Sequence, residues 1–85
     1  MAYRVDLRPK AQRHLDALPA RYRERVSQAI EDLCNNPRPP GARKLSGNLG
    51  WRLRIGEYRV LYTIWDKERR VLVDAVTRRT TTTYD

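Results

Sequence analysis

The segment between residues 50 and 62 constrains the fold of this chain most strongly, because it has the pattern of a β-hairpin. Successive side chains of a strand point to opposite faces of a sheet, and apolar and arginine side chains alternate on both sides of a Gly-Glu turn. The apolar members of the alternation are Trp51, Leu53, Ile55, Tyr58, Val60, Tyr62 and Ile64. Arg52, Arg54 and Arg59 therefore fall together on the opposite side.

The rest of the chain adds helices and further strands to this hairpin. Apolar residues at helical spacing predict helices, and short alternating runs predict strands. Pro9 fits the first turn of a helix, and Pro19 ends that helix. The predicted order is a strand at 3–7, helices at 9–18 and 20–35, a proline-rich linker at 36–41, a loop at 43–47, the hairpin, and a last strand at 71–76.

This order, β-α-α-β-β-β, predicts an α+β fold in one domain that spans residues 1–85. The second helix has one apolar stripe, and such a stripe is expected to cover a sheet. Two N-terminal helices are therefore predicted to pack on one face of a small, antiparallel-rich sheet. The other face, called the open face below, carries Arg52, Arg54 and Arg59.

Composition favours an anionic partner. The chain has 18 Lys and Arg residues against 10 Asp and Glu residues, a net charge of +8. Such a balance favours nucleic acid, and like charges on neighbouring strands cost stability unless an anion or an acidic partner lies between them. The open face is therefore predicted to hold phosphates, the alternative being an ordinary solvated face. Lys44, in the loop before the hairpin, is either a surface charge or a phosphate contact.

Membrane, disulfide and metal chemistry are not expected. The chain lacks an apolar run of roughly 20 residues and an N-terminal signal sequence, so a soluble, cytoplasmic protein without a membrane partner is predicted. Cys34 is the single cysteine and His14 the single histidine. Neither an internal disulfide nor a clustered metal site is predicted, and no cofactor is expected.

Several motifs, taken in order, resemble one protein family, the RelE/ParE superfamily of type II toxins. They are Leu18-Pro19, Asn36-Pro37-Arg38-Pro39, Lys44-Leu45-Ser46-Gly47, the block from Trp51 to Tyr62, and Arg78-Arg79 followed by Tyr84. The resemblance covers nearly the whole chain and implies the same helix-on-sheet fold. It also implies a cognate antitoxin as partner. RelE-like members cut messenger RNA, usually on the ribosome, whereas ParE-like members poison DNA gyrase and lack the catalytic set.

The resemblance also implies a set of site residues. Arg52, Arg54 and Arg59 fall on the strand positions of the RelE-like catalytic set, and Tyr84 falls on its C-terminal tyrosine. These matches favour a metal-independent endoribonuclease that cleaves messenger RNA on the ribosome, with messenger RNA and the ribosome as partners. The alternatives are a gyrase poison without nuclease activity and a basic fold that serves only in a repressor complex.

The basic residue after the last strand has two candidates. The motif alignment places Arg79 at the family's arginine. Strand alternation through Asp74 and Val76 instead places Arg78 on the open face. A β-bulge would reconcile the two, so both residues are kept as candidates.

The chemistry assigns roles to these residues. RNA supplies its own 2′-oxygen as nucleophile, so cleavage requires alignment, positive charge on the phosphate and a proton for the departing 5′-oxygen. Arg59, with Arg78 or Arg79, suits charge stabilisation, and Tyr84 is a candidate general acid or stacking platform. Arg52 and Arg54, with Lys44, are predicted to hold the RNA backbone. The general base stays open among Lys44, Glu57 and Tyr84, because arginine remains protonated.

An antitoxin is predicted to cover the open face or to displace the C-terminal tail that carries Tyr84. Alternation places Leu61, Leu72 and Val76 beside the arginines there, so apolar area and charge would act together.

Overall fold

The computed structural model describes residues 2–45 and 50–78, which form two helices and one five-stranded sheet. The elements are β1 (Arg4–Leu7), α1 (Pro9–Asp16), α2 (Ala20–Asp32), β2 (Ala42–Lys44), β3 (Gly50–Ile55), β4 (Tyr58–Trp65) and β5 (Arg70–Arg78). The strand order is β1-β5-β4-β3-β2. Only β1 and β5 pair in parallel, and the other pairs are antiparallel. The predicted α+β fold is confirmed, with one strand more than predicted.

Both helices begin at prolines and bury one stripe. Pro9 is the first residue of α1, and Pro19 is the N-cap of α2. Proline lacks a backbone N–H, but the first N–H groups of a helix have no partner within the helix, so no hydrogen bond is lost. Val26 and Ile30, four residues apart on α2, are buried against the sheet. The helix ends at Asp32 and not near Asn35. In the described ranges, no helix has the length and apolar character to cross a bilayer.

Tyr62 lies at the centre of the core and links the sheet to the proline-rich linker. Its side chain is fully buried, and its hydroxyl donates a hydrogen bond of 2.8 Å to the carbonyl oxygen of Pro37. Burial raises the pKa of Tyr62 to about 12. The linker is therefore fixed across the end of the core, next to the start of β2.

Strand β2 forms where the sequence predicted a loop. Gly41 adopts φ +93°, a conformation that glycine favours, and the Ala42 N–H donates to the Pro39 carbonyl at 3.0 Å. The chain then runs antiparallel to β3, with Arg43 opposite Arg52. Three residues are too short for an alternation pattern, so the sequence alone did not reveal this strand.

A β-bulge in β5 changes the alternation near its C-terminal end. Leu61 lies opposite Ala75 and Tyr62 lies opposite Val73, so Asp74 is the extra residue on β5. As a result, Val76 is buried on the helix side of the sheet, opposite Val60. The expectation that Val76 lies on the open face was wrong.

The bulge also moves Arg78. It lies opposite Tyr58, whose side chain is in the core, whereas Thr77 lies opposite Arg59. Directly opposite residues of an antiparallel pair share a face, so strand alternation puts Thr77 on the open face. The alternation argument that placed Arg78 there was therefore wrong, because it assumed an unbroken strand.

Candidate nucleic-acid interface

Cross-strand pairing brings arginines from three strands together on the open face. Arg43 lies opposite Arg52 in the β2–β3 pair, and Arg54 lies opposite Arg59 in the β3–β4 pair. Opposite residues have Cβ atoms roughly 5 Å apart and point the same way. We call Arg43, Arg52, Arg54 and Arg59 the arginine cluster. The predicted convergence of the three hairpin arginines is confirmed, and β2 adds a fourth.

The members of the arginine cluster differ in burial. Arg52 is only 6% exposed, Arg59 is half-buried, and Arg43 and Arg54 are exposed. The Nε atoms of Arg52 and Arg59 are buried. Arg52, Arg54 and Arg59 each take part in further interactions within the chain. Packing thus restricts Arg52 and Arg59, and a restricted guanidinium loses less freedom when it binds an anion.

A cavity of about 430 Å³ lies at one end of the arginine cluster. Its described lining residues are Gly41, Arg43, Arg52 and Arg54. A lining of three arginines and a glycine is basic, and guanidinium donors match the oxygens of a phosphate. The arrangement can therefore hold an anionic oxygen group.

The carboxylates of the open face lie towards its opposite edge, near β1. Asp74 accepts hydrogen bonds from Arg8 Nε at 2.8 Å and from Thr63 Oγ1 at 2.9 Å. Asp6 forms an ion pair of 3.1 Å with Arg4 Nε. These acidic groups are paired with cations of their own, so the positive charge of the arginine cluster is spatially separate from them.

Two of the other predicted site residues, Lys44 and Arg78, do not join the arginine cluster. Lys44 lies opposite Trp51, whose side chain is on the helix-covered face of the sheet. Strand geometry therefore directs the Lys44 side chain to that face, away from the arginine cluster. Arg78 donates a hydrogen bond of 2.9 Å to Glu57 Oε1. Glu57, a candidate base, is therefore engaged at the hairpin turn. Arg79 and Tyr84 lie outside the described residues.

Arg43 is the member of the cluster that sequence reasoning missed. A strand at Ala42-Arg43-Lys44 would put Arg43 and Lys44 on opposite faces, but three residues do not show that a strand forms there. The choice between them required the register with β3. That register depends on the Gly41 turn and not on a local pattern.

A second polar cluster joins the proline-rich linker to β1 and to the end of β4. Asp66 accepts a hydrogen bond of 2.7 Å from the Tyr3 hydroxyl, and Arg38 reaches both its carboxylate oxygens at 3.1 and 2.8 Å. Arg38 also stacks over the Trp51 ring at 5.1 Å from its centroid. Hydrogen bonds from Arg38 and Tyr3 lower the pKa of Asp66 to about 2. This cluster fixes the linker.

The histidine has a packing role. The backbone N–H of Val76 donates to His14 Nδ1 at 3.2 Å, so the ring links α1 to β5. Within residues 2–45 and 50–78, no three His, Cys, Asp or Glu side chains are grouped so as to hold a metal ion.

Comparison with known proteins identifies the class. The family model described as the ParE toxin of the type II toxin-antitoxin system parDE matches residues 5–82. The chain therefore belongs to the RelE/ParE superfamily of type II toxins, as the motifs predicted. A comparison with curated proteins gave no match.

Solved structures of RelE toxins share the fold. The toxin-antitoxin complex RelBE2 from Mycobacterium tuberculosis matches with a TM-score of 0.81 and 30% identity, covering 93% of each chain. An archaeal RelE-RelB complex from Pyrococcus horikoshii OT3 matches with a TM-score of 0.86 and 26% identity over 96% of this chain and 100% of that one. The isolated Escherichia coli RelE toxin matches with a TM-score of 0.81 and 19% identity, covering 95% of this chain and 88% of that one.

Proposed function

We propose that this toxin is a metal-independent endoribonuclease that cuts messenger RNA on the ribosome, in the cytoplasm. The observation that carries the proposal is the cross-strand pair of Arg54 and Arg59 beside Arg52 on one open face. RelE-like nucleases use basic residues at these strand positions. A polyanionic substrate is also what the net charge of +8 favours.

The reaction follows from the properties of RNA. The 2′-hydroxyl gives its proton to a general base, and its oxygen attacks the adjacent phosphorus. The bond to the 5′-oxygen breaks, and the departing oxygen takes up a proton, so that protons balance over the reaction. The products are a 2′,3′-cyclic phosphate and a 5′-hydroxyl. Arg59 and Arg54 stabilise the charge that grows on the phosphate oxygens, because guanidinium offers paired, fixed donors. Arg52 holds the neighbouring backbone.

Two further roles belong to residues outside the described ranges. The family motif places Arg79 at the arginine position, and Arg78 lies opposite Tyr58, away from the open face, so we expect Arg79 to complete the charge-stabilising set. Tyr84 is expected to protonate the leaving 5′-oxygen or to stack on a base. Lys44 is retained only as a peripheral RNA contact, since the register directs it to the other face.

A second candidate function is inhibition of DNA gyrase. It is favoured by the matching family model, whose description is that of a ParE toxin. In that case the arginine cluster would bind protein or DNA and carry out no chemistry. Under either function we expect a cognate antitoxin, since RelBE2 of M. tuberculosis and the P. horikoshii RelE-RelB were solved as toxin-antitoxin complexes.

Expression of the toxin without its antitoxin separates the two functions. RNA 5′ ends are mapped across the transcriptome, and gyrase supercoiling is assayed in parallel with purified toxin. We expect new 5′ ends within coding regions and unaffected gyrase. Intact transcripts with inhibited supercoiling would assign the toxin to the ParE-like class.

A further inference from the structure

We infer that Arg43, together with Arg52 and Arg54, binds a backbone phosphate of RNA next to the phosphate that is cleaved. This inference deepens the proposed function and rests on it. It assigns the cavity at the β2 end of the arginine cluster to a second phosphate, and it gives a binding role to a residue outside the family's set of site residues.

The position of Arg43 is fixed by backbone structure. Its strand pairs with β3 directly opposite Arg52, and the Gly41 turn immediately precedes it. The side chain is exposed, and its guanidinium makes no hydrogen bond or ion pair within the described part of the chain. The donors of Arg43 are therefore available to a ligand.

The cavity is separate from the Arg59 end of the arginine cluster. Arg59 is not among its lining residues, whereas Arg43, Arg52 and Arg54 are. Two strand spacings and two residue steps separate Arg43 from Arg59, which puts their Cα atoms about 12 Å apart. A phosphate in the cavity would thus be a neighbour of one bound between Arg54 and Arg59, with Arg54 adjoining both.

The lining favours a phosphodiester over an acidic peptide. Protein interfaces usually bury an apolar core, and the described cavity residues offer guanidiniums and a glycine but no apolar side chain. Arginines on three successive strands instead make a positive track, with successive charges to match successive phosphates of one RNA strand. RNA backbone is the occupant that this lining fits.

Binding to an uncleavable RNA tests the inference. The probe is a short single-stranded RNA whose 2′-hydroxyls are all methylated, titrated with wild type, Arg43→Gln, and Arg13→Gln as matched control. Arg13 is an exposed arginine of α1, on the helix side of the sheet. We expect Arg43→Gln to bind about tenfold more weakly and to reduce the slope of log K against log salt by about 0.7, with Arg13→Gln unchanged.

The phosphate is located by placing a single neutral methylphosphonate at each position of the probe in turn. One substitution should weaken binding of wild type but have no further effect on Arg43→Gln, because the pair has already been broken. Arg43→Lys should keep the salt slope but lose part of the affinity. Thermal unfolding of each variant checks the fold, and Arg43→Lys serves if Arg43→Gln does not fold.

The outcomes separate this inference from the proposed function. If Arg43→Gln matches Arg13→Gln in RNA affinity and in salt slope while wild type cleaves RNA, the inference is wrong and the proposed nuclease function is retained. If Arg43→Gln binds RNA more weakly with a smaller salt slope but wild type cuts no RNA, the phosphate site is supported and the proposed nuclease function is wrong. The inference would be overturned if wild type did not bind RNA. It would also be overturned if Arg43→Gln bound RNA normally and lost binding only to an acidic antitoxin segment.

Discussion

At the residue scale, Arg59 and Arg54 face each other on neighbouring strands, a costly arrangement for two like charges. Arg59 is half-buried, so its position is defined by packing before any substrate binds. The sheet therefore holds the Arg59 side chain in place, and substitutions of Arg59 should affect the proposed chemistry more than folding.

Arg59→Gln should lower RNA cleavage by more than tenfold, because a charged hydrogen bond worth roughly 1.5–3 kcal/mol is lost at the reacting phosphate. The measurement is single-turnover cleavage, with Arg13→Gln as the matched control on the helix side. Unfolding by urea is followed for both variants. A variant that folds normally and cleaves at the wild-type rate would remove Arg59 from the catalytic set.

Asp66 should make stability depend on pH in the acidic range. Its pKa falls from 3.8 to about 2 on folding, so its contribution is fully present above about pH 4 and is lost as the pH drops towards 2. The difference in urea midpoint between wild type and Asp66→Asn should therefore be constant near neutral pH and shrink below about pH 4. A difference that persists unchanged to pH 2 would contradict the assigned Arg38 and Tyr3 contacts.

At the scale of elements, the sequence predicted the helices and strands that have a periodic apolar pattern, and it did not predict the irregular features. The hairpin and both helices carry many residues in phase, so their faces follow from alternation and helical spacing. The bulge at Asp74 has no such signal beforehand, because apolar residues in β5 occur on both phases of the strand. The adjacent burial of Ala75 and Val76 reveals it only in the structure.

The same distinction applies to the candidate site. The hairpin arginines were located by alternation within one strand, which a sequence displays directly. Arg43 and Lys44 could be assigned to faces only through pairing with β3, a contact between segments. Arg78 was misplaced by one irregular residue, since a single bulge reverses every later side chain of the strand.

Gly41→Ala should test how the turn positions β2. Alanine tolerates φ +93° poorly, so we expect the free energy of unfolding to fall by about 1–2 kcal/mol. Steric contact is not the cause, because the nearest atom to an added Cβ, Leu53 Cδ1, lies at 3.8 Å. Denaturation curves measure the loss. Unchanged stability would mean that β2 does not depend on this turn.

At the scale of the whole molecule, the chain has a net charge of +8, and the arginine cluster places four of its 18 basic residues together on the open face. Asp6 and Asp74, the acidic groups of that face, are paired with cations near β1. Leu61 and Leu72 remain half-buried on that face, whereas Val76 does not contribute. An antitoxin that covers this face would therefore contact the apolar area of Leu61 and Leu72 and, beside it, the positive charge of the arginine cluster.

Antitoxin association should slow as ionic strength rises, because exposed charges steer encounter and salt screens them. Stopped-flow association of the purified partners measures the rate over a salt series. Arg54→Gln should reduce both the low-salt rate and its salt dependence more than Arg13→Gln does. Equal effects of the two variants would place the antitoxin outside the arginine cluster.

The mechanism proposed for the arginine cluster is promotion of attack by the RNA's own 2′-oxygen. Its most direct test is the chemistry of the product ends when purified toxin is mixed with ribosomes that carry a defined messenger RNA. We expect a 2′,3′-cyclic phosphate or the 3′-phosphate derived from it, a 5′-hydroxyl on the other fragment, and loss of both products in Arg59→Gln. Fragments with a 3′-hydroxyl and a 5′-phosphate, or an uncut messenger RNA, would contradict it.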